Sequence, residues 1–217
     1  MELTTSYNAA IPAEVHARYE FCEVRNAAAL LATVAPVEYA DVVEVLQGFR
    51  LQADALTTPG GNKTSIALDL DTAFRIRGWR EGRHDLEISS TVSYMPYRPA
   101  GERTARRETT IETAGGYKVD NLKGRVALDV EWNAKDGNLH RDLTAYRVFY
   151  EQGLIDVAVL VTRTRADMEH LAEVLGRPGW GGSTTTNIDK LTPLLARGSA
   201  GGCPVLAVAI TARCYAP

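Results

Sequence analysis

Cysteine is scarce. The 217 residues contain three, Cys22, Cys203 and Cys214, an odd number scattered along the chain. That usage indicates neither a disulfide framework nor a cysteine-based zinc site. The four histidines, His16, His84, His140 and His170, show no metal-ligand spacing. Long hydrophobic runs are missing too: none reaches the ~18–20 residues that cross a bilayer. The chain opens polar, Met1-Glu2-Leu3-Thr4, without the basic-then-apolar pattern of a signal peptide. No membrane partner is therefore expected, and a cytoplasmic location is. Charge of one sign is lacking as well. Lys+Arg number 24 against 27 Asp+Glu, for a net charge of −3. This balance argues against non-specific coating of nucleic acid, but leaves room for a basic face beside an acidic site.

Several familiar motifs are absent or incomplete. No Gly-x-Ser-x-Gly elbow occurs. Gly60-Gly61-Asn62-Lys63-Thr64 lacks the glycine that a phosphate loop carries directly before its lysine. His140-Arg141-Asp142-Leu143 copies a kinase string, but Arg147 stands where asparagine is needed.

At 45% hydrophobic and 24% charged, the composition is ordinary for a globular protein. The length suits one domain over 1–217, with a helical 1–50 and a core over 60–211. Spacing and propensity predict a helix over 13–33 ended by Pro36, and a second over 37–47 stopped by Gly48. A third covers 69–79, with Leu70, Phe74 and Ile76 inward. A strand at 85–94 precedes an exposed loop, 95–108, bearing Arg98, Arg103, Arg106 and Arg107. Short strands follow at 109–113 and 117–121, then the strongest at 125–133. Asn138 caps a helix over 139–152 with a stripe of Leu143, Tyr146 and Phe149. The apolar run 154–162 reads as a buried strand. Helices at 165–175 and near 188–196 precede a last buried strand at 205–211. Strand–helix–strand over 125–162 implies a parallel crossover. The fold class is α/β, a mixed central β-sheet flanked by helices.

The sharpest chemistry lies on the strongest strand. Val126, Leu128, Val130 and Trp132 point one way; Ala127, Asp129, Glu131 and Asn133 point the other. Two like charges on one face of a central strand repel and lose hydration, unless a cation neutralises them. Mg²⁺ suits such a place, since it takes one or two carboxylates together with substrate phosphate oxygens. Asp120 ends the preceding strand, and a tight connection over 121–124 returns it beside Asp129. On a solvated edge strand the same spacing is plain surface chemistry.

The stretch Asp120-Asn121-Leu122-Lys123-Gly124-Arg125-Val126-Ala127-Leu128-Asp129-Val130-Glu131-Trp132-Asn133-Ala134-Lys135-Asp136 resembles the catalytic segment of the BglII/BstYI family of type II restriction endonucleases. The likeness continues through Arg141-Asp142-Leu143, Ser183-Thr184-Thr185 and Gly201-Gly202-Cys203-Pro204. It implies the PD-(D/E)xK nuclease core, a homodimer, and Mg²⁺-dependent (or Mn²⁺-dependent) cleavage of both strands of palindromic double-stranded DNA, leaving 5′-phosphate ends. Asp120 matches the first metal-binding Asp. Asp129 replaces the usual Glu, and Glu131 stands where the wider superfamily has Lys. Glu81, on the helix containing Trp79, aligns loosely as a further acidic member.

Three polar loops are candidates to reach DNA: Asn62 and Lys63 in the first; Asn133, Lys135 and Asp136 in the second; Ser183, Thr184, Thr185 and Asn187 in the third. Asn pairs with adenine edges, and Ser and Thr serve bases or phosphates. Plain turn chemistry accounts for the same residues equally well. A nuclease of repair or of a mobile element, and a DNA-binding module without catalysis, are the competing readings of the whole.

Overall fold

The computed structural model describes residues 1–53, 56, 65–132, 134–135, 137–176 and 185–217. In chain order the first elements are β1 (Leu3–Thr4), α1 (Tyr7–Ala10), α2 (Ala13–His16), β2 (Tyr19–Val24), α3 (Ala27–Val34), α4 (Pro36–Gly48), β3 (Leu51–Gln52) and α5 (Ser65–Arg75). Then come β4 (Arg80–Arg83), β5 (Leu86–Tyr94), β6 (Arg106–Ala114), β7 (Lys118–Lys123), β8 (Val126–Val130) and α6 (Gly137–Glu151). The chain closes with β9 (Val157–Arg163), α7 (Arg165–Val174), α8 (Ile188–Ala196), β10 (Val205–Ile210) and β11 (Tyr215–Ala216). It divides into two compact units, Met1–Gly82 with Val119–Pro217, and Arg83–Lys118.

The larger unit is built on a seven-stranded sheet in the order β1-β2-β10-β9-β8-β7-β4. β8, β9 and β10 are parallel neighbours; β7 and β2 run antiparallel to β8 and β10. The mixed α/β fold is the one read from the sequence. β9 and β10 are buried along their whole length, because helices cover both faces and no position can be polar without a partner. Val126, Leu128 and Val130 join Val157, Val159 and Val161 in a core shared with α3, α4 and α5. Each such side chain contributes about 1.5–3 kcal/mol on burial. Asp129 lies on the opposite face. There α6 covers the sheet, its Tyr146 hydroxyl donating to the Val159 carbonyl at 3.1 Å.

The expected helix over 13–33 is wrong in its middle. Tyr19–Val24 is a strand, paired residue for residue with β10 from Val205↔Val24 to Ile210↔Tyr19. Its aromatic and β-branched content makes strand pairing available, and the sheet's hydrogen bonds outweigh the flanking helix formers. Arg25 and Asn26, both at positive φ, turn the chain out of the strand into α3. Pro36 begins α4 instead of merely ending its predecessor. The third helix is Ser65–Arg75, shifted from 69–79, so Ile76 is 77% exposed, not inward.

In the smaller unit, β5 and β6 form an antiparallel hairpin from Leu86↔Ala114 to Tyr94↔Arg106. Arg106 and Arg107, expected in the loop, belong to β6. Gly116 closes the base of this unit: a Cβ there would fall 1.4 Å from the His84 carbonyl oxygen.

Candidate active site

The site starts from a turn. Lys123 pairs with Val126, so only Gly124 and Arg125 lie in the loop between β7 and β8. Gly124 has φ +52, the left-handed region that a two-residue hairpin loop demands. Arg125 anchors the start of β8, its guanidinium making two hydrogen bonds to Asp156 at 2.7 and 2.6 Å. The register runs on through Asn121↔Leu128, which sets Asp120 against Asp129. The Asp120 amide donates to Asp129 Oδ1 at 2.7 Å. Asp120 and Asp129 are thus brought together as their spacing suggested.

Glu131 continues β8 past its last paired residue. Its amide donates to the Val161 carbonyl at 2.8 Å, and its own carbonyl accepts from the Thr162 and Thr186 hydroxyls at 3.0 Å each. Asp129 and Glu131 are 4% and 5% exposed, so the solvated-edge reading fails. A third buried acid, Asp142 of α6, lies among them. Arg141 donates to Asp142 Oδ1 at 3.2 and 3.0 Å, and its Nη2 is 3.9 Å from Glu131 Oε1.

This crowding governs the electrostatics. Burial first, and then the Asp142 charge, push Asp129 up to about 8. The same two causes hold Glu131 far above the usual carboxylate range, and burial raises Asp142. Burial and the neighbouring Asp129 lift the Tyr146 phenol. Asp129 Oδ2, Glu131 Oε2 and Asp142 Oδ2 are buried without a hydrogen-bond donor. Such oxygens call for protons or a cation. Among the described residues, no three His, Cys, Asp or Glu side chains form a ready-made metal cage. Mg²⁺ needs none, since water and substrate phosphate complete its octahedron. The donor set fits that ion: hard oxygens, two of them offered by adjacent strands.

The second and third polar loops meet beside Glu131. Lys135 bridges Thr185 in antiparallel fashion, and the Thr186 amide donates to the Ala134 carbonyl at 3.0 Å. Arg163, at the end of β9, ties them down. Its guanidinium lies 5.6 Å from the centroid of the Trp132 ring, donates to the Thr185 hydroxyl, and reaches the Thr186 carbonyl at 3.4 Å. Burial lowers its pKa to about 10. Lys135 is exposed and Thr185 half-buried. Asn62, Lys63, Asn133, Asp136, Ser183 and Thr184 lie outside the described residues.

Two expectations need correction. Glu81 sits on the strand β4, not on a helix with Trp79, because the helix ends at Arg75. Asn187 is 1% exposed and caps α8: its Oδ1 accepts from the Lys190 amide at 3.1 Å, and its Nδ2 donates to the Thr185 carbonyl at 3.2 Å. With both ends of its amide engaged and its side chain buried, Asn187 serves here as a cap and presents no edge to solvent.

Asp142 and Arg163 escaped the sequence reading. Asp142 shares the inward stripe of Leu139, Tyr146 and Phe149, where a carboxylate is out of place. That misfit, four residues before a tyrosine, was the available signal. Asn121 offers a parallel case on the other face, its Nδ2 donating at 2.7 Å to Asp71 Oδ1 of α5, with both residues buried.

The model of the family described as Restriction endonuclease BglII/BglIII matches residues 19–210 of the chain. No curated protein matches it.

Proposed function

The chain belongs to the BglII/BglIII restriction endonuclease family, and from that membership we propose that it cuts both strands of palindromic duplex DNA as a homodimer, using a divalent cation held by Asp120 and Asp129. Membership itself makes the protein a site-specific deoxyribonuclease that binds duplex DNA. The observation that supports the finer reading is the pairing of Asp120 with Asp129 across the hairpin, with Glu131 two residues further along the chain and buried oxygens on Asp129 and Glu131 that have no hydrogen-bond partner.

Mg²⁺ or Mn²⁺, when bound, neutralises phosphate charge and acidifies a water. The protein's own groups do the rest. Asp120 and Asp129 present their oxygens from paired strands, so their separation is set by the hairpin. Glu131 Oε2 takes the proton of the attacking water. The new bond joins that oxygen to phosphorus, the bond to the 3′ oxygen breaks with its electron pair, the 3′ oxygen takes a proton from a solvent water, and the phosphate stays on the 5′ end. Asp142 keeps Glu131 basic enough for this task by repelling its negative form. Because Glu131 stands in the superfamily's lysine position, proton uptake here falls to a carboxylate.

The bridge between Lys135 and Thr185 supports a reading in which the two loops act on DNA together, with Asn133, Asp136, Ser183 and Thr184 their neighbours in sequence and Asn62 and Lys63 in the first loop. Two-fold symmetry of a palindrome calls for two copies of the site. The segment before residue 50 offers an interface, with Val34 and Val37 exposed at the junction of α3 and α4.

The test is incubation with plasmid DNA. Discrete fragments in Mg²⁺, absent in EDTA and with Asp120→Ala, are expected, and sequencing their ends reports site and overhang. Intact DNA with every divalent metal overturns the reading. Sedimentation as a monomer, with and without DNA, overturns the dimer.

A further inference from the structure

The hairpin unit Arg83–Lys118 raises a different question. Its strands are nine residues each, and every residue from Glu87 to Tyr94 and from Arg106 to Ala114 is exposed. A two-stranded ribbon of this kind is marginal in water by itself. Yet its tip is ordered by its own contacts. Arg106 stacks 4.5 Å from the centroid of the Tyr94 ring, and the Tyr94 hydroxyl donates to Glu108 at 3.0 Å. The Tyr97 amide donates to Glu102 at 2.7 Å, and a 3-10 turn over Arg98–Ala100 ends at Gly101 with φ +84.

Charge is unevenly spread over the hairpin. From Tyr94 through Arg107 the chain carries four arginines, Arg98, Arg103, Arg106 and Arg107, and one glutamate, Glu102. The nearby acids are engaged already: Glu102 by the Tyr97 amide, Glu108 by Tyr94 and Arg106. Among the described residues, the guanidinium groups of Arg98, Arg103 and Arg107 have no ion-pair or hydrogen-bond partner. Beside them are the exposed faces of Tyr94, Met95 and Tyr97.

We infer that this tip is an auxiliary arm that grips the phosphates of duplex DNA outside the bases the enzyme reads. The inference rests on duplex DNA being the substrate, as proposed above. A ribbon of this width enters a major groove ~12 Å wide. Nine residues of strand reach ~30 Å, nearly a turn of duplex. Guanidinium groups carried on an ordered turn and the adjoining strand end meet phosphate oxygens in the bidentate geometry that suits them. A second protein copy is the poorer fit, since Ile88, Val92 and Tyr94, on one face of the ribbon, stand opposite Glu112, Glu108 and Arg106 on the paired strand, which break that face with charge.

The experiment compares wild type with the triple variants Arg98→Ala/Arg103→Ala/Arg107→Ala and Arg98→Lys/Arg103→Lys/Arg107→Lys. Binding to a long-flanked duplex carrying the mapped cleavage site is measured against salt, in Ca²⁺ to prevent cutting. Each lost phosphate contact lowers the slope of log K against log salt by ~0.9. The alanine variant is expected to lose about 2–3 from that slope, the lysine variant little, and both to cut at the same positions as wild type. Equal slopes in wild type and alanine variant, with wild type binding and cutting normally, overturn the arm alone. Equal slopes together with a smaller sedimenting species in the alanine variant overturn it in favour of a contact between copies. A wild type that neither binds nor cuts duplex DNA overturns the proposed function, and the arm with it.

Discussion

The amide of Asp120 donates to Asp129 Oδ1 at 2.7 Å across a hairpin whose loop is only Gly124 and Arg125. The backbone of one candidate ligand thus orients the side chain of the other. A slip of one residue in this register would turn the Asp120 side chain to the opposite face of the sheet.

Gly124→Val tests the turn. A β-branched residue at φ +52 is strained, and its Cβ would meet Glu38 Oε1 at 2.5 Å. Urea unfolding is expected to show a loss of about 1–3 kcal/mol. Cleavage is expected to fall further than the unfolded fraction explains, because the pairing of the two acids is disturbed. Wild-type cleavage in a destabilised variant would detach the site from the turn.

Glu131→Ala is expected to reduce cleavage by at least ~100-fold, the usual scale for loss of a positioned proton acceptor. DNA affinity should hold or improve, since a negative charge leaves the neighbourhood of the phosphates. Gel-shift and plasmid assays read the two effects separately. Loss of binding together with loss of the folded circular dichroism spectrum would sink the assignment.

Without metal, the protein is expected to lose stability as pH rises. Asp129 has a folded value of about 8 against an ordinary 3.8, so the native state retains a proton that the unfolded chain releases. The stabilisation is complete below the ordinary value and disappears as pH climbs through about 8. Glu131 and Asp142, also raised, add in the same direction. A divalent cation held as proposed would take the place of those protons, so the rise in thermal midpoint caused by Mg²⁺ should grow with pH. Midpoints in EDTA that increase across this range would contradict the crowded-carboxylate account.

Asp142→Asn removes the main charge acting on both Asp129 and Glu131. The EDTA midpoint near pH 8 is expected to rise by ~2–6 °C, corresponding to about 1–2 kcal/mol in a chain of this size. The pH profile of cleavage should move to lower pH, since the proton acceptor is less repelled. An unchanged profile would mean that Asp142 does not act on the site.

Asn187→Ala deletes the cap of α8. Loss of about 1 kcal/mol is expected, or ~2–4 °C in midpoint, with the cleaved sequence unchanged. Altered sequence preference without loss of stability would restore Asn187 as a DNA-reading residue.

Much of the architecture is carried by short-range pattern. The apolar run 154–162 reads as a buried strand, which the fold places at Val157–Arg163, and the alternation over 126–132 sorts acids from core residues correctly. The two-residue spacing of Asp129 and Glu131 and the short return to Asp120 singled out a candidate site only together with the apolar strand around them and the resemblance of that segment to a nuclease family. Local pattern misled where long-range pairing takes over. Tyr19–Val24 sits between helix formers, and only its match with β10, some 180 residues away in sequence, makes it a strand.

The sequence by itself determined the α/β class, the acids on one face of β8 and the resemblance to a nuclease family, because alternation and spacing are local properties of the chain. Tertiary structure alone decided what surrounds those acids. Asp142 arrives from a helix, Arg163 from the next strand, and Asn187 turns inward to cap rather than outward to read. Burial and the distance between charges set the chemistry of a carboxylate, and both depend on which distant segments the fold brings together.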